Sequence, residues 1–503
     1  MRNNNAGFLL QFGCSQEAHN HSTQQSKSIQ TGAKKQVKAR RLFNLQSLHM
    51  MMTKKQLSAL LLFCAMSGTA YSENLYQVYL HAQSNDAQLK ASESAFLAMQ
   101  EKRPQALSAL KPQVNLSASG TYSTQFTSRV ANRADGGAAF LNFGYTLNLT
   151  QPLYRKSINV QIDQANASIL QAQASLEADQ QSLMLRVADA YIAYLKAKDN
   201  AKFAKLETNS ILRQLNQVKA YFDAGRLAIT DVKEAQARYD LSRAQEVSVT
   251  QQIDIAKENL RAITGHYYNN LLGAANSIPL IQPQPNNIET WSKAAVANSK
   301  AVHIAEHAVV LAQSNIDLAR AGKSPTVDLF ARHSGSTTHG ESIFDQDKFD
   351  AAVGIQVNIP LYTGGSVASR TREARHLLQQ SRYKLESQKR AATQQTRAAY
   401  LATISGLSQV KALKQALISN QTAAKATRTG FKVGTRTAVD VLVSLRETFR
   451  SQRDYTTARY DFLLNTLKLK QAAGILKSSD LQGLSNLLNQ ANSSSAQVTK
   501  YRR

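Results

Sequence analysis

The nine residues AGRLAITDV (224–232) return about 209 positions later as VGTRTAVDV (433–441). In both copies a glycine precedes an Asp-Val pair by the same spacing. A second pair of segments repeats at nearly the same offset, LNLTQPLY (147–154) and IQVNIPLY (355–362). Self-similarity at a fixed offset marks repeated structural units. The chain is therefore expected to contain two equivalent halves of one architecture.

Long helices are predicted between the repeated segments. The chain of 503 residues has only 8 Pro and 22 Gly, which favours long helices. Residues 155–222 and 363–430 are each about 68 residues without proline. A helix of that length is roughly 100 Å long. Apolar positions in the first stretch are spaced by three, four or seven residues, which predicts a coiled-coil seam. These positions are Ile169, Ala172, Leu176, Leu183, Val187, Ala190 and Tyr194.

Four shorter helical stretches accompany the long ones. Residues 73–110 and 227–264 together are about as long as one long helix, and so are 289–322 and 436–473. This equality of length predicts that the members of each pair stack end to end beside a long helix.

The N-terminal region carries an export signal. Lys54 and Lys55 precede a short apolar segment (57–66), and small residues follow at signal-peptidase spacing, which predicts a signal peptide over 50–72. Residues 1–49 are expected to come from an over-extended start, since Met50 and the two methionines after it are each plausible starts.

Both cysteines of the chain, Cys14 and Cys64, precede the expected cleavage site. The mature chain is therefore expected to contain no disulfide and no cysteine metal site.

The formal net charge of +26 allows two interpretations. It could provide a surface for anionic partners such as lipid phosphates or nucleic acid. A general basic bias on solvated helix faces would give the same net charge, and this interpretation is favoured. Export of the chain argues against a nucleic-acid partner.

The domain organisation follows the repeat. The first repeat is predicted over 73–282 and the second over 283–489, with a Pro- and Asn-rich joint at 266–288. Residues 490–503 are Ser- and Gln-rich and predict a disordered tail.

Each repeat also contains a pair of strands. Residues 141–151 alternate between apolar and polar side chains, as a strand with two unlike faces does. Strands are predicted at about 113–130, 139–152, 325–338 and 351–361. Such alternation fits a half-buried soluble strand or a transmembrane strand with lipid on one face. One strand pair per half in an exported, otherwise helical chain favours membrane strands.

Four strands cannot close a barrel, and an open edge in lipid leaves backbone groups unpaired. Closure therefore requires other chains. Two chains supply the eight strands of the smallest barrels and three supply twelve, so this reasoning leaves the order of the ring open.

Several motifs resemble those of the TolC family of outer-membrane efflux and type I secretion channels. The similarity runs from ENL (73–75) to about residue 489. It is carried by AITDV (228–232), LRAITG (260–265), PLYTGG (360–365) and VGTRT (433–437).

The resemblance implies a mainly α fold with a small β-barrel. Each chain contributes four transmembrane β-strands to a homotrimeric twelve-stranded barrel, continued by a long coiled-coil helical tunnel in the periplasm. The implied function is a passive outer-membrane exit duct for drugs, bile salts or detergents, and for proteins of type I secretion. A periplasmic adaptor and an inner-membrane efflux or ABC transporter open the duct by docking.

The duplicated segment then falls at two helical turns of the closed tunnel tip, near residues 225 and 434. The resemblance implies adaptor contacts at these turns, made by Gly225, Leu227, Gly434 and Thr435. It implies a gate or constriction formed by Thr230, Asp231, Phe431, Arg436 and Asp440. Because the repeats carry different members of this set, the gate is expected to form between unlike repeats.

These residues also have plainer interpretations. Arg436 and Asp440 could form an ordinary exposed helix pair, and both glycines could simply end their helices. Two positions depart from the family pattern. Phe431 replaces a tyrosine, which removes a hydrogen bond to Asp231, and Val443 replaces a second ring of aspartates. Weaker block by multivalent cations is expected as a result.

No catalytic chemistry is indicated by the sequence. HIAEH (303–307) matches the pattern of an inverted zinc-protease motif, but no third zinc ligand can be identified. An ordinary helix face is the favoured interpretation, so no enzyme activity, metal or cofactor is expected. Two alternative functions remain, a general diffusion porin and a periplasmic coiled-coil scaffold.

Overall fold

The computed structural model describes residues 73–127, 136–268, 270–273, 280–340 and 346–488. The predictions for 1–49, 50–72 and 490–503 lie outside the described residues. So does the predicted end of the first strand, residues 128–130.

The two halves have the same order of elements, with short helices, two strands, a long helix and a medium helix. In the first half they are α1 Leu75–Asn85, α2 Ala87–Gln100, α3 Lys102–Ser108, β1 Gln113–Thr127, β2 Gly136–Arg155, α4 Lys156–Asp223 and α5 Ile229–Thr264. In the second half they are α6 Ile288–Asn298, α7 Lys300–Ala321, β3 Thr326–Gly340, β4 Gln346–Asn358, α8 Ser366–Lys432 and α9 Ala438–Ala472.

The two long helices span 68 and 67 residues, as the proline-free stretches predict. Residues 478–488 are also helical. Among the described helices, none has an apolar stretch long enough to cross a membrane.

The first helical stretch is broken where the sequence predicts one helix. Asp86 ends α1 and begins α2 with an extended backbone (ψ 118°), and its carboxylate accepts the Leu89 amide at 2.7 Å. The second half breaks in the same way at Ser299 (ψ 124°), whose side chain makes no cap bond. The prediction of a single helix over 73–110 and another over 289–322 was therefore wrong, because an extended residue cannot continue the ladder of helical hydrogen bonds.

Each break lies where another helix ends. The left-handed residue Gly265 (φ 72°) caps α5 and lies next to Asn85. Gly474 (φ 71°) follows α9, and a Cβ added there would overlap the backbone of Asn298. In the first half α1 contacts α5 and both pack on α4, so the predicted end-to-end stacking is observed.

The largest apolar core joins these stacked ends. It centres on fully buried Tyr191, whose hydroxyl donates to the Leu272 carbonyl at 2.7 Å. Leu183, Val187, Ala190 and Tyr194 of the predicted seam are buried in this core.

The four strands form one antiparallel sheet in the order β1-β2-β3-β4. Strand β2 pairs with β3, so the sheet joins the two halves. The third strand reaches Gly340 and the fourth begins at Gln346, further than the alternation predicts, because β3 and β4 remain paired up to Thr338 and Gln346.

The two faces of this sheet are unlike. Register places Leu116 beside Leu147, and the same face continues through Ala331 of β3 to Val353 of β4. Strand β3 also places the polar residues His333 and Thr337 on this face. Along β2 these apolar side chains are exposed or partly exposed, while their polar neighbours are half-buried. On the outer strands exposure reaches 70% for Leu116 and 78% for Val353. A soluble sheet buries its apolar face, so this pattern is reversed.

Candidate functional site

The duplicated segments form two equivalent turns between long and medium helices. The first turn follows α4, where Gly225 adopts φ 70°. Its amide donates to the Phe222 carbonyl, and the next amide, that of Arg226, donates to Tyr221, both at 2.8 Å. These paired bonds satisfy carbonyls that the end of α4 would otherwise leave free.

The second turn repeats this geometry after α8. Gly434 adopts φ 82°, and its amide donates to Phe431 at 3.2 Å. The Thr435 amide donates to the Gly430 carbonyl at 2.9 Å. At both turn glycines an added Cβ would meet no atom within 4 Å, so the positive φ alone requires glycine. Glycine therefore caps the helix here, and an adaptor role is compatible with the open space.

The two aspartates of the repeat begin the next helices. Asp231 accepts the Ala228 amide at 3.2 Å, and Asp440 accepts the Thr437 amide at 3.0 Å. Only the second turn adds the reciprocal bond, from the Asp440 amide to the Thr437 hydroxyl at 3.1 Å. Both carboxylates thus stabilise helix N-termini within their own turn.

Hydrogen bonding from Thr437, with help from nearby Arg436, holds the pKa of Asp440 below its usual range. The carboxylate is therefore ionised at neutral pH. Arg436 and Asp440, both within the described residues, do not come close enough for an ion pair, so the simple helix-pair interpretation does not describe them. Exposed Arg436 packs over Gly430, where a Cβ would lie 2.8 Å from the arginine Cγ.

Phe431 occupies a different environment from the other predicted gate residues. Its side chain is buried, 6% exposed, and its ring centroid lies 5.7 Å from that of Tyr221. Leu227 packs on the same cluster. Thr230, by contrast, is exposed at the start of α5.

The apolar cluster around Phe431, the tip cluster, joins two helical hairpins. The first hairpin is α4 with α5 and the second is α8 with α9, and all four helices contribute residues to the cluster. Its buried residues are Ile211, Leu215, Val218, Ala235, Phe431, Ala438, Val441 and Leu442. The structure thus brings Leu227 and Phe431 into one cluster. Gly225 and Gly434 occupy equivalent turns, and Asp231 and Asp440 occupy equivalent helix starts.

Two residues of the site were missed in the sequence. Thr437 completes a capping box, and its signal was present as Thr-x-x-Asp before an apolar run. Tyr221 faces Arg226, whose guanidinium lies 6.0 Å from the ring centroid, and packs on the tip cluster. No local pattern marks Tyr221, because its main partner is more than two hundred residues away.

The HIAEH segment lies on α7. His303 bonds to Glu306 at 3.1 Å along its own helix, and Lys389 of α8 approaches the same carboxylate at 3.9 Å. Within the described ranges, no three His, Cys, Asp or Glu side chains converge as metal ligands.

The model of the family described as "Outer membrane efflux protein" matches residues 78–266 and 291–475. The chain belongs to this family. The two matched blocks coincide with the two halves seen in the fold, and the outer membrane is the location of the family. The resemblance on which the site residues rest is thereby confirmed.

Relatives within the outer membrane efflux proteins cover most of the chain. Outer membrane protein TolC of Vibrio cholerae is 33% identical over 423 residues, which are 83% of this chain and 94% of the relative. Alkaline protease secretion protein AprF of Pseudomonas aeruginosa is 28% identical, covering 82% and 87%. A crystal structure of CusC superposes with a TM-score of 0.69 at 18% identity, covering 80% of this chain and 92% of CusC. The predicted fold class is confirmed, and family and fold are those of channels rather than of enzymes.

Proposed function

We propose that three copies of this chain form a passive exit duct across the outer membrane. The duct serves efflux of small molecules, which the description of the family supports, and type I secretion of proteins, which the name of the secretion protein AprF supports. It opens when a periplasmic adaptor and an inner-membrane efflux or ABC transporter dock at the paired turns.

The reversed exposure of apolar and polar side chains on the sheet is the observation that carries this proposal. Along β2 the apolar side chains are the more exposed ones and their polar neighbours are half-buried, which suits lipid outside and water inside. Within the described residues, β1 pairs only with β2 and β4 only with β3. Each unpaired backbone group in lipid costs several kcal/mol, so further copies must pair with the free edges. Three four-stranded sheets make a twelve-stranded barrel.

The tip supplies the gate in this proposal. The two hairpins share the apolar cluster around Phe431. Each hairpin also has a turn glycine with open space beside it and an aspartate that accepts a backbone amide at the start of the next helix. Gly225, Leu227, Gly434 and Thr435 are assigned to adaptor contact. Thr230, Asp231, Arg436 and Asp440 are assigned to the constriction, while Phe431 supports it from within the protomer.

A matched pair of substitutions on β2 tests the orientation of the sheet. Leu147→Arg places a charge on the apolar face, which costs about 2–4 kcal/mol near the middle of a bilayer. Thr146→Arg places the same charge on the polar face. Detergent-extracted trimer in outer-membrane fractions is expected to fall sharply for Leu147→Arg and to persist for Thr146→Arg.

Equal yields from the two variants would refute the assignment of the faces. The alternatives predict other results. A periplasmic scaffold would be released without detergent, and a general porin would conduct in planar bilayers without any opening step. A duct closed at its tip conducts little, and Arg436→Ser is expected to raise its conductance.

A further inference from the structure

A cavity of about 430 Å³ lies beside the tip cluster, where the first hairpin meets α9. Its walls come from α4, α5 and α9. Its volume falls in the range of about 300–1,000 Å³ that small-molecule sites occupy. None of the residues assigned above to the turns or the constriction lines it, but Val443, at the position of the family's second aspartate ring, does.

Positive charge dominates the polar part of the wall. Three arginines line the cavity, Arg238 on α5 and Arg446 and Arg453 on α9, against one carboxylate, Glu207 on α4. Arg453 and Glu207 form an ion pair at 2.6 Å, and the Glu207 side chain is only 12% exposed. Arg446 bonds to its neighbour Glu447 at 3.1 Å. In the part of the chain that the structure describes, Arg238 has no ion-pair partner, so its charge is available to a ligand.

The rest of the wall is apolar, and part of it is exposed. In the single chain, Leu241 is 65% exposed at the cavity and Val443 is 38% exposed, while Leu442 and Ile211 are buried. Leaving Leu241 in water forfeits the free energy that burial of its side chain would give. A ligand that covers this surface and also approaches Arg238 must carry both an apolar body and a negative charge.

The cavity is held open by bonds between its walls. The Thr208 hydroxyl of α4 lies 3.3 Å from the Ser242 carbonyl of α5. The Glu207–Arg453 pair links α4 to α9 on the other side. These bonds fix three helices around the space, so a ligand would not have to order it, which favours binding.

We propose that this cavity binds a small amphiphilic anion, with the apolar body against Leu241 and Val443 and the anionic group at Arg238 and Arg446. Because the ligand bridges α5 and α9, it joins the two hairpins and stabilises their packed arrangement. The site is independent of the export function, since it requires only the packing of one protomer.

A fluorescent pair of probes tests the proposal. The probe is 8-anilinonaphthalene-1-sulfonate, an aromatic sulfonate that brightens in apolar sites, and its uncharged control is N-phenyl-1-naphthylamine. Titrations use the assembled full chain in zwitterionic nanodiscs, with empty nanodiscs subtracted. The sulfonate is expected to bind saturably at one site per chain, and about ten-fold or more tighter than the uncharged control, because bonds to charged groups are strong.

Matched variants locate the site. Val443→Asp and Val443→Asn remove the same apolar contact, but only the first adds a carboxylate to the wall. Sulfonate binding is therefore expected to be about ten-fold or more weaker in Val443→Asp than in Val443→Asn. Arg238→Gln is expected to weaken binding comparably. Arg243→Gln removes an exposed arginine of the same helix outside the cavity, and binding should not change.

Absence of saturable sulfonate binding to the wild-type protein overturns the proposal. Equal loss in Val443→Asp and Val443→Asn, or equal affinity for the uncharged control, overturns the role of charge. Competition by inorganic sulfate at the same concentration as the probe would overturn the role of the apolar wall. Assembly of each variant is checked by size, and the Arg238 and Arg243 pair decides the matter if a Val443 variant does not assemble.

Discussion

Removing the Asp86 carboxylate should destabilise the junction between α1 and α2. Asp86 is 4% exposed and accepts two bonds from Arg186, at 2.9 and 3.0 Å, in addition to the Leu89 amide. Loss of an N-cap costs about 1 kcal/mol. Leaving a buried charge without its partner costs about 3–5 kcal/mol. Because the Arg186 side chain is 31% exposed, we expect the loss of its partner to cost less than this range, about 2 kcal/mol, which with the cap gives about 3 kcal/mol for Asp86→Ala.

Hydrogen exchange reports such local opening directly. A loss of about 3 kcal/mol corresponds to roughly 100-fold faster exchange in peptides covering 75–100. Ser299→Ala is the matched control, because Ser299 occupies the equivalent break and its side chain makes no cap bond. Peptides around Ser299 should exchange at the wild-type rate in that variant. If Asp86→Ala exchanges no faster than Ser299→Ala, the reasoning about this break is refuted.

The pH dependence of the same break has a definite sign. Burial opposes ionisation of Asp86, but the bonds from Arg186 and Leu89 outweigh it and hold its pKa below the usual value. A lowered carboxyl pKa gives stability that is present above the unfolded value of about 3.9 and is lost as pH falls further. Protection of peptides 75–100 should therefore decline below about pH 4 in the wild type and not in Asp86→Ala.

Four further outcomes are expected at the turns and at the helix ends. Thr437→Ala removes a cap worth about 1 kcal/mol and should speed exchange at the second turn about five-fold, leaving the first unchanged. Asp440→Ala should abolish channel block by a trivalent cation such as La³⁺, and equal block in wild type and variant would contradict a constriction role. Gly434→Ala should cost about 1–2 kcal/mol from its positive φ alone, measured by urea unfolding. Gly474→Ala should cost more, because its Cβ would also overlap the backbone at the α6–α7 break.

The paired turns were largely predictable from sequence. Gly225 and Gly434 signal left-handed residues, and the Asp-Val spacing places a helix start after each. Tight turns depend on the φ that a few neighbouring residues can adopt, so local sequence is sufficient. The position of Phe431 was not predictable in the same way. Its burial depends on Tyr221 of the other hairpin, a contact that no nearby pattern records.

The helix breaks show the limit of periodicity. Asp86 and Ser299 are residue types favoured at helix N-caps, so each break carries a weak local signal. That signal does not decide the outcome, because α4 continues unbroken through the similar polar cluster at 208–210. The break at Asp86 is stabilised by Arg186, one hundred residues away, and at Ser299 the backbone lies close to Gly474.

The sequence by itself determined the two repeats, the long helices and strands with two unlike faces. Each of these is set by backbone geometry and by neighbours within a few residues. Only the tertiary structure decided that the apolar side chains of β2 are more exposed than its polar ones, and that among the described residues β1 and β4 each have one unpaired edge. Alternation shows that two faces differ, but which face is covered depends on segments far apart in the chain. The same reason explains the cavity beside the tip, whose charge balance exists only once α4, α5 and α9 pack together.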